Sequence, residues 1–423
     1  MTRGNATRAI ISLNCVRWGI MADRQTQTRR RWLGTCATLA GATALAGCTQ
    51  SEETNGNGTG NGTGGNDDGT EAVGEDWPMY GVDLQNTAYH PTVTNPDGNE
   101  LTKRSISAID GRSPYPVAVA DGVVYVSSTA GKTYAIDTET EDVLWEKEGY
   151  GSPTIHGETV YGPTADGLLY SYDVETGERW ESDEIESVIG LGAPIPTDNG
   201  IYVASQEEIW QFERETGAYT DVLTTPSFVG GSSEQPAYQD GIIYIARSSE
   251  LHAVNVESPE IEWTFESDNE GIMTDSNPAV SDGLVFVGTR EHQVHAVDIE
   301  SGDEVWTVDT DSDVETSPAV ANGFVYIGDN DRVIAIDIDE GTIEWVADDA
   351  VSGEPYDIVV ANDVCYATTL FGVYALDSRS GELDWQYTVD DSLEGGFTAS
   401  ATVSDGTVYV PANDDTLYAI EDA

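Results

Sequence analysis

A turn-forming residue pair returns eight times in this chain at an almost constant interval, and this regularity restricts the fold more than any other feature. Successive pairs are 35 to 43 residues apart. A period near forty predicts an array of small units, each of which must stack on its neighbours to bury a core. The pairs are Asp121-Gly122, His156-Gly157, Asn199-Gly200, Asp240-Gly241, Asp282-Gly283, Asn322-Gly323, Asn362-Asp363 and Asp405-Gly406.

Each complete unit predicts four β-strands. In one of them, Ser317–Ala321 leads to the Asn-Gly turn, the β-branched and aromatic run Phe324–Gly328 follows, and "RVIAIDI" makes a third strand before a fourth that ends in Trp. No helical periodicity appears in this region. We therefore expect an all-β, eight-bladed β-propeller with four-stranded antiparallel blades. A string of β-sandwich domains is excluded, since forty residues are too few for one.

The chain end predicts how the ring closes. The eighth unit stops at "LYAIEDA", after its third strand. An unassigned strand candidate, Glu100–Ile109, precedes the first unit. We expect this N-terminal strand to complete the last blade, which also protects its edge.

A twelve-residue phrase such as "HAVDIESGDEVW" recurs where the third strand turns into the fourth. Its Asp can accept hydrogen bonds from turn amides, its Gly supplies positive φ, and its Trp falls where neighbouring blades should pack. Blade 3 departs from the pattern, with Glu213 for Asp and Asp221 for Trp, so we expect a weaker junction there. The predicted docking residues are Trp145, Trp180, Trp263, Trp306, Trp345 and Trp385.

Residues 1–47 predict an export signal, with Met21 as a possible true start. Arg29 and Arg30 precede a short apolar run and resemble a twin-arginine signal. The run ends in "LAGC", which resembles a lipobox and makes Cys48 the predicted lipidation site; a buried helix with an incidental Cys is the alternative. Residues 48–75 predict a flexible acidic linker, and 76–423 the propeller domain. The expected location is the outer face of the cytoplasmic membrane.

Residues 49–423 hold 75 acidic and 11 basic residues, a net charge of −64. This charge excludes nucleic acid and anionic membrane surfaces as natural partners. The acidic bias resembles that of proteins from salt-loving archaea. Cys365 is the only cysteine after Cys48, so no disulfide within the mature domain is expected.

Recognisable catalytic or metal-binding motifs are missing from the sequence. His252 and His295 occupy a strand position that holds Tyr in other units, which favours packing over ligation. The acidic run Asp309–Glu315 has Val314 where a calcium loop needs Gly, so we interpret it as a solvated loop without a metal.

Five of the scarce basic residues fall on loops predicted to share one rim, which suggests a positive site for an anionic ligand or an acidic partner segment. Local pairing with acids such as Glu291 and Asp331 explains the same residues without a ligand. The rim residues are Arg112, Lys132, Arg247, Arg290 and Arg332.

The segment "AVDIESGDEVW" (Ala296–Trp306) resembles the tryptophan-docking repeat of the pyrroloquinoline-quinone (PQQ) repeat family, and "DWPMYG" (Asp76–Gly81) is similar to the propeller entry of archaeal members. The resemblance implies either a quinoprotein dehydrogenase, with PQQ and Ca²⁺ over the central funnel, or a non-enzymatic, BamB-like scaffold. The large insertions and the adjacent Cys pair of many of the dehydrogenases are missing here.

We therefore expect a lipid-anchored extracellular scaffold without a cofactor, which binds a protein or surface polymer. The alternatives are a PQQ-dependent dehydrogenase and, from aromatic richness alone, a polysaccharide-binding or polysaccharide-hydrolysing protein. Neither the partner nor the oligomeric state follows from the sequence.

Overall fold

Five of the six Asn/Asp-Gly pairs adopt the backbone that a tight hairpin needs. In the first, Asp121 and Gly122 have φ of 50° and 73°, both in the left-handed region that two-residue turns require. The computed structural model describes residues 75–164, 167–182, 192–205, 208–224, 235–247, 249–267, 276–389 and 395–423, all within the compact unit Gly64–Ala423. The predicted export signal, Arg29, Arg30, Cys48 and residues 48–74 of the linker lie outside the described residues.

Eight sheets form, one for each repeat, so the predicted eight-bladed propeller with four-stranded antiparallel blades is confirmed. Within blades 1 to 7 the repeat's four strands follow the chain from the axis outward. Blade 1 consists of β3 (Ala118–Ala120), β4 (Val123–Ser128), β5 (Lys132–Asp137) and β6 (Val143–Glu148), and blade 2 of β7 (Thr154–His156), β8 (Thr159–Pro163), β9 (Leu169–Asp173) and β10 (Arg179–Glu181). Blade 3 consists of β11 (Ile195–Thr197), β12 (Gly200–Ala204), β13 (Glu208–Phe212) and β14 (Tyr219–Thr224), and blade 4 of β15 (Ala237–Gln239), β16 (Ile242–Arg247), β17 (Glu250–Asn255) and β18 (Glu260–Glu266).

The remaining blades follow the same order, and two of them recruit a strand from the N-terminal part of the domain. Blade 5 consists of β19 (Ala279–Ser281), β20 (Leu284–Thr289), β21 (Gln293–Asp298) and β22 (Glu304–Asp309), and blade 6 of β23 (Ala319–Ala321), β24 (Phe324–Asp329), β25 (Arg332–Asp337) and β26 (Ile343–Ala347). Blade 7 consists of β27 (Pro355–Ala361), β28 (Val364–Thr369), β29 (Gly372–Asp377) and β30 (Leu383–Thr388), with β1 (Tyr89–His90) beside β27. Blade 8 consists of β31 (Thr402–Ser404), β32 (Thr407–Pro411) and β33 (Thr416–Asp422), with β2 (Leu101–Ala108) as its outer strand.

The N-terminal strand closes the ring as predicted. β2 pairs antiparallel with β33, from Leu101 opposite Asp422 to Ala108 opposite Thr416. It supplies the outer strand that the eighth repeat lacks. The Arg104 guanidinium fixes this pairing, because its Nε and Nη2 donate to the two carboxylate oxygens of Glu421 at 2.9 and 3.1 Å.

The recurring Trp docks on the next blade, and the recurring Gly makes room for it. Trp345 Nε1 donates to the Ser378 carbonyl oxygen at 3.2 Å. A Cβ on Gly381 (φ 70°) would lie 2.5 Å from Trp345 Cε3, so the glycine is required by the backbone and by the indole. The same indole-to-carbonyl bond joins Trp145 to Val174, Trp180 to Arg214, Trp263 to Ile299 and Trp306 to Ile338.

The Asp of the phrase caps its turn, as the sequence analysis expected. Asp377 Oδ1 accepts from the Arg379 and Ser380 amides at 3.1 and 2.8 Å. Trp385 docks differently, because blade 8 takes its outer strand from the N-terminal region. Its indole packs against Gly98, whose amide donates to Asp422 Oδ1 at 3.1 Å.

Candidate functional site

The ring has two unlike faces, which we name by their connections. The turn face carries the tight turns between the first and second strands of each blade, such as Asp121-Gly122. The loop face carries the loops between the second and third strands and the loops that enter each innermost strand. The domain begins at the turn face, where the Glu75 carboxylate accepts from the Asp405 amide at 3.2 Å and Asp76 from the Asp121 amide at 3.0 Å.

From there, residues 75–94, which we call the axial segment, run along the inner wall of the ring. In six blades one amide of the innermost strand donates to a carbonyl oxygen of this segment, in chain order. Blade 3 has Pro196 at the equivalent position, which has no N–H to donate. The donor and acceptor residues, at 2.6 to 2.8 Å, are Val119 and Trp77, Ile155 and Pro78, Tyr238 and Leu84, Val280 and Gln85, Val320 and Thr87, and Val360 and Ala88.

Tyr80 crosses the channel. Pro78, two residues before Tyr80, accepts from the Ile155 amide of blade 2. Across the ring, the Tyr80 hydroxyl donates to Ser317 Oγ of blade 6 at 2.7 Å and lies 3.1 Å from Asp357 Oδ2 of blade 7. Asn277 Nδ2 donates to the Tyr80 oxygen at 3.2 Å and to Ser317 Oγ at 3.0 Å. The axis is therefore filled near the loop face by the chain's own hydrogen-bonded side chains.

These partners belong to a set of eight equivalent positions near the loop-face end of the innermost strands, which we call the mouth ring. Lys and Arg occupy none of the eight positions, and Asp357 is the one acid among them. The mouth ring consists of Pro116, Ser152, Ala193, Gln235, Asn277, Ser317, Asp357 and Ser400.

Asp357 is the most perturbed carboxyl of this region. Burial raises its pKa to about 6, although the amide of Ser317 donates to its Oδ1 at 2.7 Å and the Tyr80 hydroxyl lies beside Oδ2. Burial and the nearby Asp357 charge together raise the pKa of Tyr80 well above its usual range. Burial therefore favours the protonated, neutral carboxyl of Asp357 below about pH 6.

The five basic residues predicted as a rim do not form one exposed positive surface. Arg247 is only 1% exposed, and its Nη2 donates to the Ser205 carbonyl oxygen on blade 3 at 2.5 Å. Of the others, only Arg112 is left without an ion pair among the described residues, and its backbone oxygen accepts from the Thr129 amide on blade 1.

The acids that pair with the other three differ from those expected from sequence proximity. Lys132 lies 2.7 Å from Glu146 and 3.2 Å from Asp110. Arg290 lies 3.6 Å from Glu315 rather than beside Glu291. Arg332 contacts Asp311 at 2.8 Å, Asp329 at 2.5 Å and Asp348 at 3.7 Å. Anion binding by this set stays a prediction.

The two strand histidines lie inside the blades. His252 Nδ1 is 3.0 Å from Thr264 Oγ1, and burial lowers the His252 pKa to about 4. His295 Nδ1 is 2.6 Å from Glu304 Oε1. Among the described residues no group of three or more His, Cys, Asp or Glu side chains is arranged to hold a metal ion. Nor does the described part of the chain contain a helix long and apolar enough to cross a membrane.

A family model described as outer membrane protein assembly factor BamB matches residues 91–217 and 247–423, most of the propeller. The chain belongs to this PQQ-repeat, BamB-type family. A relative from Yersinia pestis with the same description is 26% identical over 150 residues. That match spans 32% of this chain and 37% of the relative, so the relative's assembly function does not transfer by itself.

Solved structures of different description share the fold. The quinohemoprotein alcohol dehydrogenase of Comamonas testosteroni has a TM-score of 0.65 at 14% identity, covering 82% of this chain and 81% of the enzyme. BamB from Moraxella catarrhalis has a TM-score of 0.60 at 16% identity, covering 76% and 100%. At such identities the likeness establishes the propeller and does not separate an enzyme from an assembly factor.

The axial segment is the feature that sequence reasoning missed. "DWPMYG" was identified as the propeller entry, but its path inside the ring was not predicted. The sequence contained one signal for this segment. Pro196 of blade 3 occupies the position of Val119, Val280 and Val320 in other blades, and a proline there has no amide hydrogen to donate to the axial segment.

Proposed function

We propose that this protein is a non-enzymatic binding scaffold, exported and held at the outer face of the cytoplasmic membrane through a lipid on Cys48. The proposal that the protein is not an enzyme rests on the side chains that fill the propeller axis near the loop face. Tyr80 and its hydrogen-bonded partners Asn277, Ser317 and Asp357 occupy space on the propeller axis near the loop face, which a cofactor bound there would need.

The residues of the mouth ring do not fit PQQ. The cofactor carries three carboxylates and a quinone, so we expect a site for it to place cations toward the axis, because charge-assisted hydrogen bonds to carboxylates are the strong ones. The mouth ring offers neutral amides and hydroxyls and the carboxyl of Asp357, and none of its eight residues is basic.

The strongly acidic surface is suited to high salt concentrations. With a net charge of −64 over residues 49–423, carboxylates repel one another in dilute buffer, and screening by salt relieves this repulsion. Membership of the BamB-type family supports an assembly or binding role.

The deciding experiment compares binding with catalysis in concentrated salt. The purified protein, with its native fold checked by circular dichroism, is titrated with PQQ and Ca²⁺ and assayed for dye reduction with alcohols and sugars. We expect neither quinone absorbance nor turnover. Stoichiometric PQQ binding with dye reduction that is lost in Asp357→Asn would overturn the scaffold proposal.

A second experiment tests the anchor. Cys48→Ser is expected to release the protein into the medium, because the propeller domain is then joined to no lipid. Replacing Arg29 and Arg30 with Lys is expected to stop export. A Cys48→Ser protein that still sediments with membranes would refute the lipid anchor.

A further inference from the structure

Blade 7 carries an exposed apolar surface that its repeat does not require. In the other blades whose second-to-third-strand loop is fully described, that loop is small or polar: Thr129–Gly131, Arg290–His292, Asn330–Asp331 and Asn413–Asp415. Blade 7 has Leu370 and Phe371, with 39% and 52% of their surfaces exposed. Tyr356 lies beside them at 37% exposed. We call these three residues the apolar knob.

The apolar knob is held rigidly by its neighbours. The Phe371 amide donates to Thr369 Oγ1 at 3.0 Å, and the Leu370 carbonyl oxygen accepts from the Phe397 amide at 3.3 Å. The Tyr356 hydroxyl donates to the Phe397 carbonyl oxygen at 2.8 Å. A Cβ on Gly353 would lie 2.7 Å from the Phe371 ring, so the ring rests on backbone and exposes its other side. Such preorganisation lowers the entropic cost of binding.

An acidic depression adjoins the apolar knob. Its volume is about 280 Å³, and Glu354, next in sequence to Gly353, forms its nearest edge. Burial and the neighbouring Glu315 raise the pKa of Glu354, as expected where two carboxyl groups crowd together. We call this depression the acidic bowl; its acidic members are Asp311, Asp313, Glu315 and Glu354, and His292 also lines it.

Cations neutralise the acidic bowl only in part. Arg290 is the cation that faces Glu315, at 3.6 Å. The imidazole of His292 lies 3.0 Å from Asp313. Arg332 reaches Asp311, but it also serves Asp329 and Asp348. Beside the exposed apolar side chains, the loop face at the acidic bowl therefore carries a local excess of negative charge, while the Arg112 guanidinium is the cation that acts on Tyr356 of the apolar knob.

We propose that the apolar knob and the acidic bowl together dock a segment of a partner protein that carries apolar side chains beside Lys or Arg. The proposal rests on the scaffold function and names the chemistry of its partner. An exposed aromatic and leucine cluster provides the contact energy, and the carboxylates select a basic segment.

Other occupants do not match this surface. A second copy of the chain brings a net charge of −64 toward an acidic face. The chain's own linker, residues 49–74, has only Ala72 and Val73 as apolar residues and carries acids rather than bases. A basic and apolar segment of a different protein is therefore the occupant that matches the apolar knob and the acidic bowl.

The test uses three short fluorescent peptides: one with a Trp and Leu flanked by lysines, one with glutamates for the lysines, and one with serines for the Trp and Leu. Binding is measured by anisotropy over a salt series. We expect the apolar, basic peptide alone to bind. Phe371→Ser should weaken it about tenfold or more, as the loss of one buried aromatic contact requires, and Glu354→Gln several-fold.

Leu383→Ser is the matched control, since Leu383 is an exposed leucine (40%) on the outer strand of the same blade, away from the apolar knob. It should bind as the parent does. Equal binding by Phe371→Ser and the parent, or equal binding of the serine peptide, would overturn the docking site. Melting curves of each variant exclude unfolding as the cause.

The same variants separate this proposal from the scaffold function. If proteins co-purify with the parent and with Phe371→Ser alike from solubilised membranes, the scaffold stands and the docking site falls. If the peptides discriminate as expected but no protein co-purifies with the parent, the docking chemistry stands and the scaffold function falls.

Discussion

The joint between blades 6 and 7 and the joint between blades 3 and 4 connect equivalent strands with different chemistry. At the first, the Trp345 indole lies on Gly381 and bonds to the Ser378 carbonyl. At the second, Asp221 replaces the Trp and Pro259 replaces the Gly, so both halves of the dock are lost together. Here Arg247 reaches from blade 4 to the Ser205 carbonyl, and Tyr202 and Tyr238 stack at 6.3 Å.

The difference teaches that the repeated phrase is one solution to blade packing and not a condition for a closed ring. The joint of blades 3 and 4 still buries a continuous apolar cluster that includes Ile195, Ile209, Ile243 and Val254. Its polar connection, however, depends on a buried guanidinium, whose pKa burial lowers to about 10. We expect the docked joint to be stiff and the arginine joint to open first.

The largest expected effect is at the docked joint. Trp345→Ala should lower the free energy of unfolding by about 3–5 kcal/mol, because the indole is only 9% exposed and leaves a cavity between blades. Trp345→Phe retains a ring but loses the bond to Ser378, so it should cost about 1 kcal/mol beyond any cavity term. Denaturant titration at fixed high salt measures both. A cost below that of Trp345→Phe would contradict the docking role.

Two glycines separate backbone strain from indole contact. Gly283 and Gly381 both have positive φ, 79° and 70°, but a Cβ on Gly283 meets nothing within 4 Å. Gly283→Ala should therefore cost about 1–2 kcal/mol from strain alone. Gly381→Ala should cost roughly 1–2 kcal/mol more, because the new Cβ displaces Trp345. Equal losses in thermal melts would mean that the indole contributes nothing at this position.

The arginine joint is tested by Arg247→Met, which retains bulk and removes the charge. We expect a loss of about 1.5–3 kcal/mol, the range for a hydrogen bond that involves a charged group. Hydrogen exchange should accelerate in β12 and β16 and stay unchanged in β24 and β28. Arg379→Met is the control, since Arg379 is exposed and its pair with Asp363 should contribute little. Uniform acceleration throughout the ring would show that the two joints open together.

The smallest effect is a pH dependence at the docked side, where Asp357 of blade 7 bonds to Ser317 of blade 6. The folded-state pKa of Asp357 is raised to about 6, so the fold favours its protonated form. The stability that this group contributes is present at low pH and is lost as pH rises from the unfolded pKa through about 6. Asp357→Asn should be more stable than the parent above pH 6 by about 1–2 kcal/mol, with the gap closing near pH 4.

That comparison of the two proteins from pH 4 to 8 cancels the background from the other carboxylates. A gap that widens as the pH falls would mean that Asp357 is stabilised as the anion.

The sequence predicts the parts of the ring that local chemistry repeats. Asp121 and Gly122 determine a hairpin by their own backbone preferences, and Trp306 recurs at the offset where blades meet. Closure by Glu100–Ile109 followed from the missing fourth strand of the last repeat. These features need no knowledge of distant partners.

The candidate site was less predictable because its contacts join distant parts of the chain. Residues 75–94 have no repeat, and their hydrogen-bond partners are spread over seven blades. Arg247 sits at the same strand end as Ser128, Thr289, Asp329 and Thr369, so its burial depends on blade 3 and not on its own neighbours. Leu370 and Phe371 were visible as a departure from the repeat, but only the structure places them beside Glu354 and in solvent.

The axial segment and β2 have a consequence for the order of folding. Residues 75–108, the first of the domain to be synthesised, find their partners in nearly every blade, and Arg104 meets Glu421 across 317 positions. Blade 8 cannot be finished, nor the inner wall completed, until the last residues of the chain exist. Contacts at this sequence separation make folding slow. Until they form, β2 and the other early strands have unpaired edges that can aggregate. A chain of this design gains little from folding blade by blade as it is synthesised, because its ring closes only when β33 is complete.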